Sequence, residues 1–267
     1  MRPWEVFEKN SILFLNKSIN TNKYLFKNSG GSNSREVDIG VFYNSNQLFS
    51  IEAKFLPSQC GQFVVSYNDG LFTESSKNYY SNSYNSEILN QINSLNINLN
   101  KVNNLSLNQT IMFKWIKEHY LSKGVKYFIV SNKIDSDFKL IDIENLNKYF
   151  KFDCVIRRKK SGSREVSKSK RREVVYGLIN HLNFENNKII KSDINGKSLV
   201  VSTQKSVENK YFLNKKFFLS ETNNKVYKVK QLSSTNNPSV IFSINYENPP
   251  LENGIGSLLN YINSMSH

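Results

Sequence analysis

Apolar residues recur at helical spacing from the start of the chain. Trp4, Phe7, Ser11, Phe14 and Leu15 form one stripe, and Pro3 suits a first helical turn, so the pattern predicts a helix over 3–17 with Glu8 at the stripe's edge. Beyond the polar stretch 28–34 the period changes to two. In REVDIGVFY (35–43) Val37, Ile39 and Val41 alternate with Glu36, Asp38 and Gly40. In QLFSIEAKFL (47–56) Phe49, Ile51, Ala53 and Phe55 alternate with Ser50, Glu52 and Lys54. With Asn44-Ser45-Asn46 between them, the two runs predict a hairpin. SQCGQFVVSYNDG (58–70) reads as a further strand closed by the Asp69-Gly70 turn.

Ile88, Ile92, Leu95, Leu99 and Val102 predict the next helix. Ser106-Leu107-Asn108-Gln109 has the form of a capping box, opening a helix through Ile111, Trp115 and Ile116 that stops at Gly124. VKYFIVS (125–131) is apolar enough for the middle of a sheet. FKLIDI and FDCVIR are strands around a short helical piece at 144–149. KSLVVST, KKFFLS, KVYKVKQL and SVIFSINY are all strand-like. The expected architecture is α/β: a mixed part over 1–155 and a β-richer part over 156–267, with a soft boundary.

Composition narrows the class. No apolar run approaches the roughly 20 residues of a spanning helix. The N-terminus has scattered charges rather than a signal peptide's apolar core, so the expected compartment is the cytoplasm. Cys60 and Cys154 cannot form a disulfide scaffold, and no Cys/His cluster suggests zinc. The net charge of +14 favours a polyanion, nucleic acid first and an anionic membrane surface second. Asn occurs 39 times and Ala once, a skew typical of AT-rich coding, so part of the lysine excess is compositional drift. Clustering is more informative: residues 151–172 hold ten Lys/Arg and two acids.

The hairpin carries the chemistry. If Asn44-Ser45-Asn46 forms a three-residue loop, Tyr43 faces Gln47 and Asp38 lies opposite Glu52, with Cβ atoms about 5 Å apart. Asp38, Glu52 and Lys54 then share the polar face. Two carboxylates so close repel, and a divalent cation with a preference for hard oxygen ligands, such as Mg²⁺, resolves the conflict. Lys54, about 6.6 Å further along the strand, can stabilise charge developing on a phosphate. These are groups that phosphodiester hydrolysis needs, although a solvated sheet face also alternates charges in this way.

VDIGVFYNSNQLFSIEAKF resembles the active-site hairpin of the PD-(D/E)xK nuclease superfamily, with Val37 in place of the proline in the motif's name. The whole chain resembles a stand-alone type II restriction endonuclease, and the element order over 1–131 agrees with that family's core. The resemblance implies a restriction-endonuclease-like mixed sheet flanked by helices. It makes Asp38 the first carboxylate, Glu52 the second and Lys54 the lysine, with Mg²⁺ held by Asp38 and Glu52. In some members a helix glutamate adds a metal contact; Glu8 is the counterpart, and read alone it is an exposed glutamate at a stripe edge. Gln59 and Gln62 follow closely enough to touch DNA, or are turn residues. The implied substrate is double-stranded DNA, cut at a specific site by a homodimer with one site per strand.

The basic cluster is the expected DNA contact. It comprises Arg157, Arg158, Lys159, Lys160, Ser161, Ser163, Arg164, Lys168, Lys170, Arg171 and Arg172, with Arg157 and Arg158 as base readers and the later cations on the backbone. The bland alternative is a solvated loop. His119 and His181 read as structural residues, and Tyr79, Tyr80 and Tyr84 as surface packing, with stacking on bases the alternative. Two other functions fit less well. One is a repair, recombination or transposition nuclease with the same core. The other is a non-catalytic nucleic-acid-binding protein, which gains nothing from two carboxylates facing phosphate.

Overall fold

A computed structural model describes residues 3–19, 23–29, 37–134, 136–160, 163–233 and 236–265. Arg35, Glu36 and Ser161 lie outside the described residues, as does the side chain of Lys160. The chain divides into two compact units, one of Met1–Arg158 with Pro238–His267, the other of Lys159–Asn237. The expected division into 1–155 and 156–267 is therefore corrected, because the last thirty residues return to the first unit.

In chain order the first unit contains α1 (Pro3–Ser18), β1 (Tyr24–Asn28), β2 (Ile39–Tyr43), β3 (Asn46–Phe55), β4 (Ser58–Asn68), β5 (Leu71–Glu74), α2 (Asn85–Asn93), β6 (Asn103–Leu105) and α3 (Gln109–Leu121). It continues through β7 (Val125–Ser131), β8 (Lys139–Asp142), α4 (Leu146–Tyr149) and β9 (Phe150–Lys160). The second unit contains β10 (Ser163–Glu165), α5 (Arg171–Phe184), β11 (Ile189–Asp193), β12 (Val200–Thr203), β13 (Tyr211–Phe212), β14 (Phe217–Asn223) and β15 (Val226–Leu232). The chain then closes the first unit with β16 (Asn236–Tyr246) and α6 (Ile255–Ser264).

The first unit holds two sheets, ordered β1-β2-β3-β7-β8 and β5-β4-β16-β9-β6. In the first, β3 and β7 run parallel and the other pairs are antiparallel. Both of its faces are covered. Phe7 and Leu15 of α1 and Leu258 and Ile262 of α6 pack with Ile39, Ile51 and Tyr127 on one side. Trp115, Ile116 and Tyr120 of α3 share the other core with Val125, Phe128 and Val130. That double burial explains why VKYFIVS is apolar at nearly every position. In the second unit Val174, Leu178 and Leu182 of α5 pack on Val201, Leu219, Tyr227 and Val229 of the sheet β11-β12-β15-β14-β13.

Four local expectations change. The hairpin turn has two residues, Asn44 and Ser45, with φ of 46° and 70°, as a type I′ turn requires. A bulge between Val41↔Phe49 and Phe42↔Gln47 then restores the register expected further along, Ile39↔Ile51. α2 stops at Asn93, leaving Leu95 and Val102 exposed. The reason lies in the asparagines that follow: Asn98 and Asn103 bond backbone groups of their own loop, a local alternative to helix. α3 is capped by Asn108, whose side chain accepts from the Thr110 N–H, rather than by Ser106. At the N-terminus Trp4 is 41% exposed, outside the buried stripe.

Candidate active site

Asp38 stands one residue ahead of β2, where the register that pairs Ile39 with Ile51 sets it against Glu52. Its Oδ2 accepts from the Ala53 backbone N–H at 3.0 Å, which fixes the carboxylate against β3. Lys54 Nζ donates to Glu52 Oε1 at 2.5 Å. The expected polar face is not open to solvent: Ser50 and Glu52 are buried, and the Lys54 side chain is 13% exposed. It is the face of β3 that α3 covers, so these polar groups occupy a largely desolvated corner of a doubly covered sheet.

Desolvation governs the electrostatics there. Burial, followed by the neighbouring Glu52 carboxylate, lifts the Asp38 pKa from 3.8 to about 7; Glu8 of α1 pushes in the same direction. Thus Glu8 reaches the site through its charge. For Lys54, burial on its own would lower the pKa, but the carboxylates of Glu52 and Asp38 outweigh it and hold the ammonium protonated.

Groups that no motif marks in the sequence surround the trio. Cys60 is buried beside Lys54, and its thiol is pushed up to about 12 by burial. The Tyr120 hydroxyl donates to that thiol, and the Tyr120 ring lies 5.6 Å from Lys54 Nζ. Lys123 Nζ lies 5.4 Å from the same ring. His119 is stacked on Trp115 at 4.9 Å, and burial with the nearby Lys123 and Lys54 lowers its pKa to about 3, so it is neutral. Cys60 reaches this corner because β4 bulges opposite Phe242, where Gly61 adopts φ +96°. A Cβ on Gly61 would meet the Trp115 ring at 2.6 Å. Gln59 and Gln62 bond each other at 3.0 Å across the bulge.

The basic cluster spans two settings. Arg157 and Arg158 end the first unit's share of β9, and Lys159 begins the second unit. Ser163, Arg164, Lys168, Lys170 and Arg172 are exposed in the second unit. Arg171 is a correction to the expected DNA contacts. It is 2% exposed, and its guanidinium donates to the carbonyls of Val166, Ile194, Gly196 and Lys197, so it pins the start of α5 to a loop. The second unit carries 17 Lys/Arg against 6 Asp/Glu, a net +11 of the chain's +14.

The mixed sheet with helices against both faces is a restriction-endonuclease fold. The structure of the HhaI endonuclease, solved in complex with DNA, matches it with a TM-score of 0.78, at 32% sequence identity over 100% of both chains. This chain belongs to the family of that endonuclease. No family model matches the sequence, and no curated relative does.

Proposed function

We propose that the chain is a Mg²⁺-dependent type II restriction endonuclease that hydrolyses phosphodiester bonds of double-stranded DNA at a specific site. The observation that carries this reading is the meeting of Asp38, Glu52 and Lys54 in one desolvated corner of a chain related end to end to an endonuclease solved with DNA.

The residues fit a hard divalent cation. Two carboxylates crowd one buried place, and the rise of the Asp38 pKa to about 7 records the resulting penalty. An ion with oxygen ligands relieves that penalty. Asp38 and Glu52 would hold it, with Glu8 as the outer carboxylate. When bound, such an ion activates water and offsets the charge developing on phosphate. The Ala53 N–H orients Asp38, and the Glu52 carboxylate positions the Lys54 ammonium. Held charged, that ammonium donates to a phosphate oxygen as negative charge accumulates. Arg157, Arg158, Lys159, Lys160, Ser163, Arg164, Lys168, Lys170 and Arg172 follow the DNA backbone and base edges.

The test is digestion of plasmid DNA by the purified protein with Mg²⁺ or with a chelator, followed by sequencing of the ends. Discrete fragments with one end sequence are expected with Mg²⁺ alone. Asp38→Ala should abolish cleavage while duplex binding persists or tightens, because a charge that repels phosphate has gone. Full cleavage by Asp38→Ala, or smears without a common end, would overturn the proposal.

A further inference from the structure

Lys123 lies where the chain turns from α3 into the sheet. α3 ends at Leu121, and Gly124, with φ +75°, reverses the chain into β7. The Gly124 carbonyl accepts from the Ser50 N–H at 2.9 Å, which ties this corner to β3 two residues before Glu52. From there the Lys123 ammonium lies 5.4 Å from the Tyr120 ring and 5.7 Å from the Tyr80 ring. The Tyr120 ring also carries the Lys54 ammonium at 5.6 Å. One buried aromatic ring therefore holds two cations near the carboxylates of Asp38 and Glu52.

The two cations differ in their access to solvent. Lys54 is nearly enclosed and bonded to Glu52. Lys123 is half-buried; burial lowers its pKa, and the Glu52 and Asp38 charges act against that. Two ammonium groups gathered about one ring repel each other, and an anion drawn to this corner would ease that repulsion. Lys123, the more exposed of the two, is the one an anion arriving from solvent meets first.

We propose that Lys123 is a phosphate-binding residue of the candidate active site, gripping the nucleic-acid backbone beside the group that Lys54 faces. This rests on the nuclease reading above. Lys123 here acts in substrate capture: its ammonium forms a charge-assisted hydrogen bond to a phosphate oxygen, with Tyr120 and Tyr80 limiting its rotamers. The competing role is charge balance for the carboxylates without touching the substrate.

The experiment compares the wild type with Lys123→Gln and Lys123→Arg. Binding of a mixed-sequence duplex is titrated against salt in chelator, and cleavage is measured in Mg²⁺ across a range of substrate concentrations. Lys123→Gln should raise KM by about tenfold with a much smaller change in kcat, as expected when one charge-assisted hydrogen bond is removed. It should also lower the log–log salt slope of binding by roughly 0.9, and Lys123→Arg should restore both. An unchanged salt slope and KM, with the pH profile of kcat shifted instead, would assign Lys123 to charge balance and overturn the proposal. A wild type that binds no duplex would overturn the nuclease reading itself, whereas normal wild-type binding with an unaltered Lys123→Gln slope overturns this inference alone. Melting temperatures of the variants identify a folding defect, and Lys123→Met, which keeps the aliphatic stem but not the charge, carries the same test if the glutamine variant unfolds.

Discussion

Asp38 and Lys54 share one buried corner, and burial meets opposite outcomes in them. Lys54 is offered two carboxylates, so its charge survives burial; for Asp38 burial first, and then the like charge of Glu52, disfavours ionisation. The consequence for stability has a definite sign. A carboxyl whose folded pKa lies above its ordinary 3.8 stabilises the fold while protonated, and that contribution is lost as pH rises from 3.8 through about 7. Without metal, Asp38→Asn should therefore melt higher than the wild type above neutrality, and the difference should vanish at acid pH. Adding Mg²⁺ at alkaline pH should raise the wild-type Tm more than that of Asp38→Asn, because the ion binds only the folded pair. Thermal melts across the pH range, with and without Mg²⁺, test both points; equal Mg²⁺ increments would contradict a cation between the carboxylates. The trio was legible in the sequence because period two places Glu52 and Lys54 on one face and the hairpin register brings Asp38 across. Cys60, Tyr120 and Lys123 were not, since a bulge in β4 and the end of α3 deliver them from elements whose relation to β3 is tertiary.

The turn between β2 and β3 shows how an element can reach the right register by another route. Two residues with positive φ and one bulge place the strands as a three-residue loop would. Ser45 holds φ 70° without the freedom of glycine, so Ser45→Gly should stabilise the protein by about 0.5–1 kcal/mol and leave cleavage unaltered. Denaturant melts check this; a lower midpoint would mean that the serine side chain supports the turn. Helices were less legible than strands. α5 contains Val174-Val175 and an interior Gly177, which weaken its propensity, and its basic N-terminal flank hides the start of the apolar stripe. Burial of Val174, Leu178 and Leu182 against the second unit's sheet decides the matter. α6 is likewise held by Leu258 and Ile262 against the first sheet, a contact between distant parts of the chain.

At the scale of the molecule, charge and chemistry are segregated. The candidate catalytic groups belong to the first unit and most of the net charge to the second. If the exposed cations of the second unit engage phosphates, replacing Lys168 and Lys170 with Gln should lower the salt slope of duplex binding by roughly 0.9 per phosphate released, without changing the Tm. Arg171→Gln should do the reverse. It removes the donor from four carbonyls in a buried place, so it should lower the Tm by several degrees before any change in slope. A salt titration with a melt for each variant separates the two cases; an unchanged slope for the lysine variant would return those cations to the solvated surface. Each chain carries one Asp38–Glu52–Lys54 site, so cutting both strands takes a pair of chains or two successive encounters, which sedimentation and a time course of nicked plasmid distinguish. The second unit also enters and leaves the chain between β9 and β16, neighbouring strands of one sheet in the first unit. Its two attachment points therefore lie side by side. A segment tethered in that way is a cassette: 159–237 could be lost, enlarged or exchanged during descent with only a short splice between two paired strands, while β2, β3 and α3 kept their places.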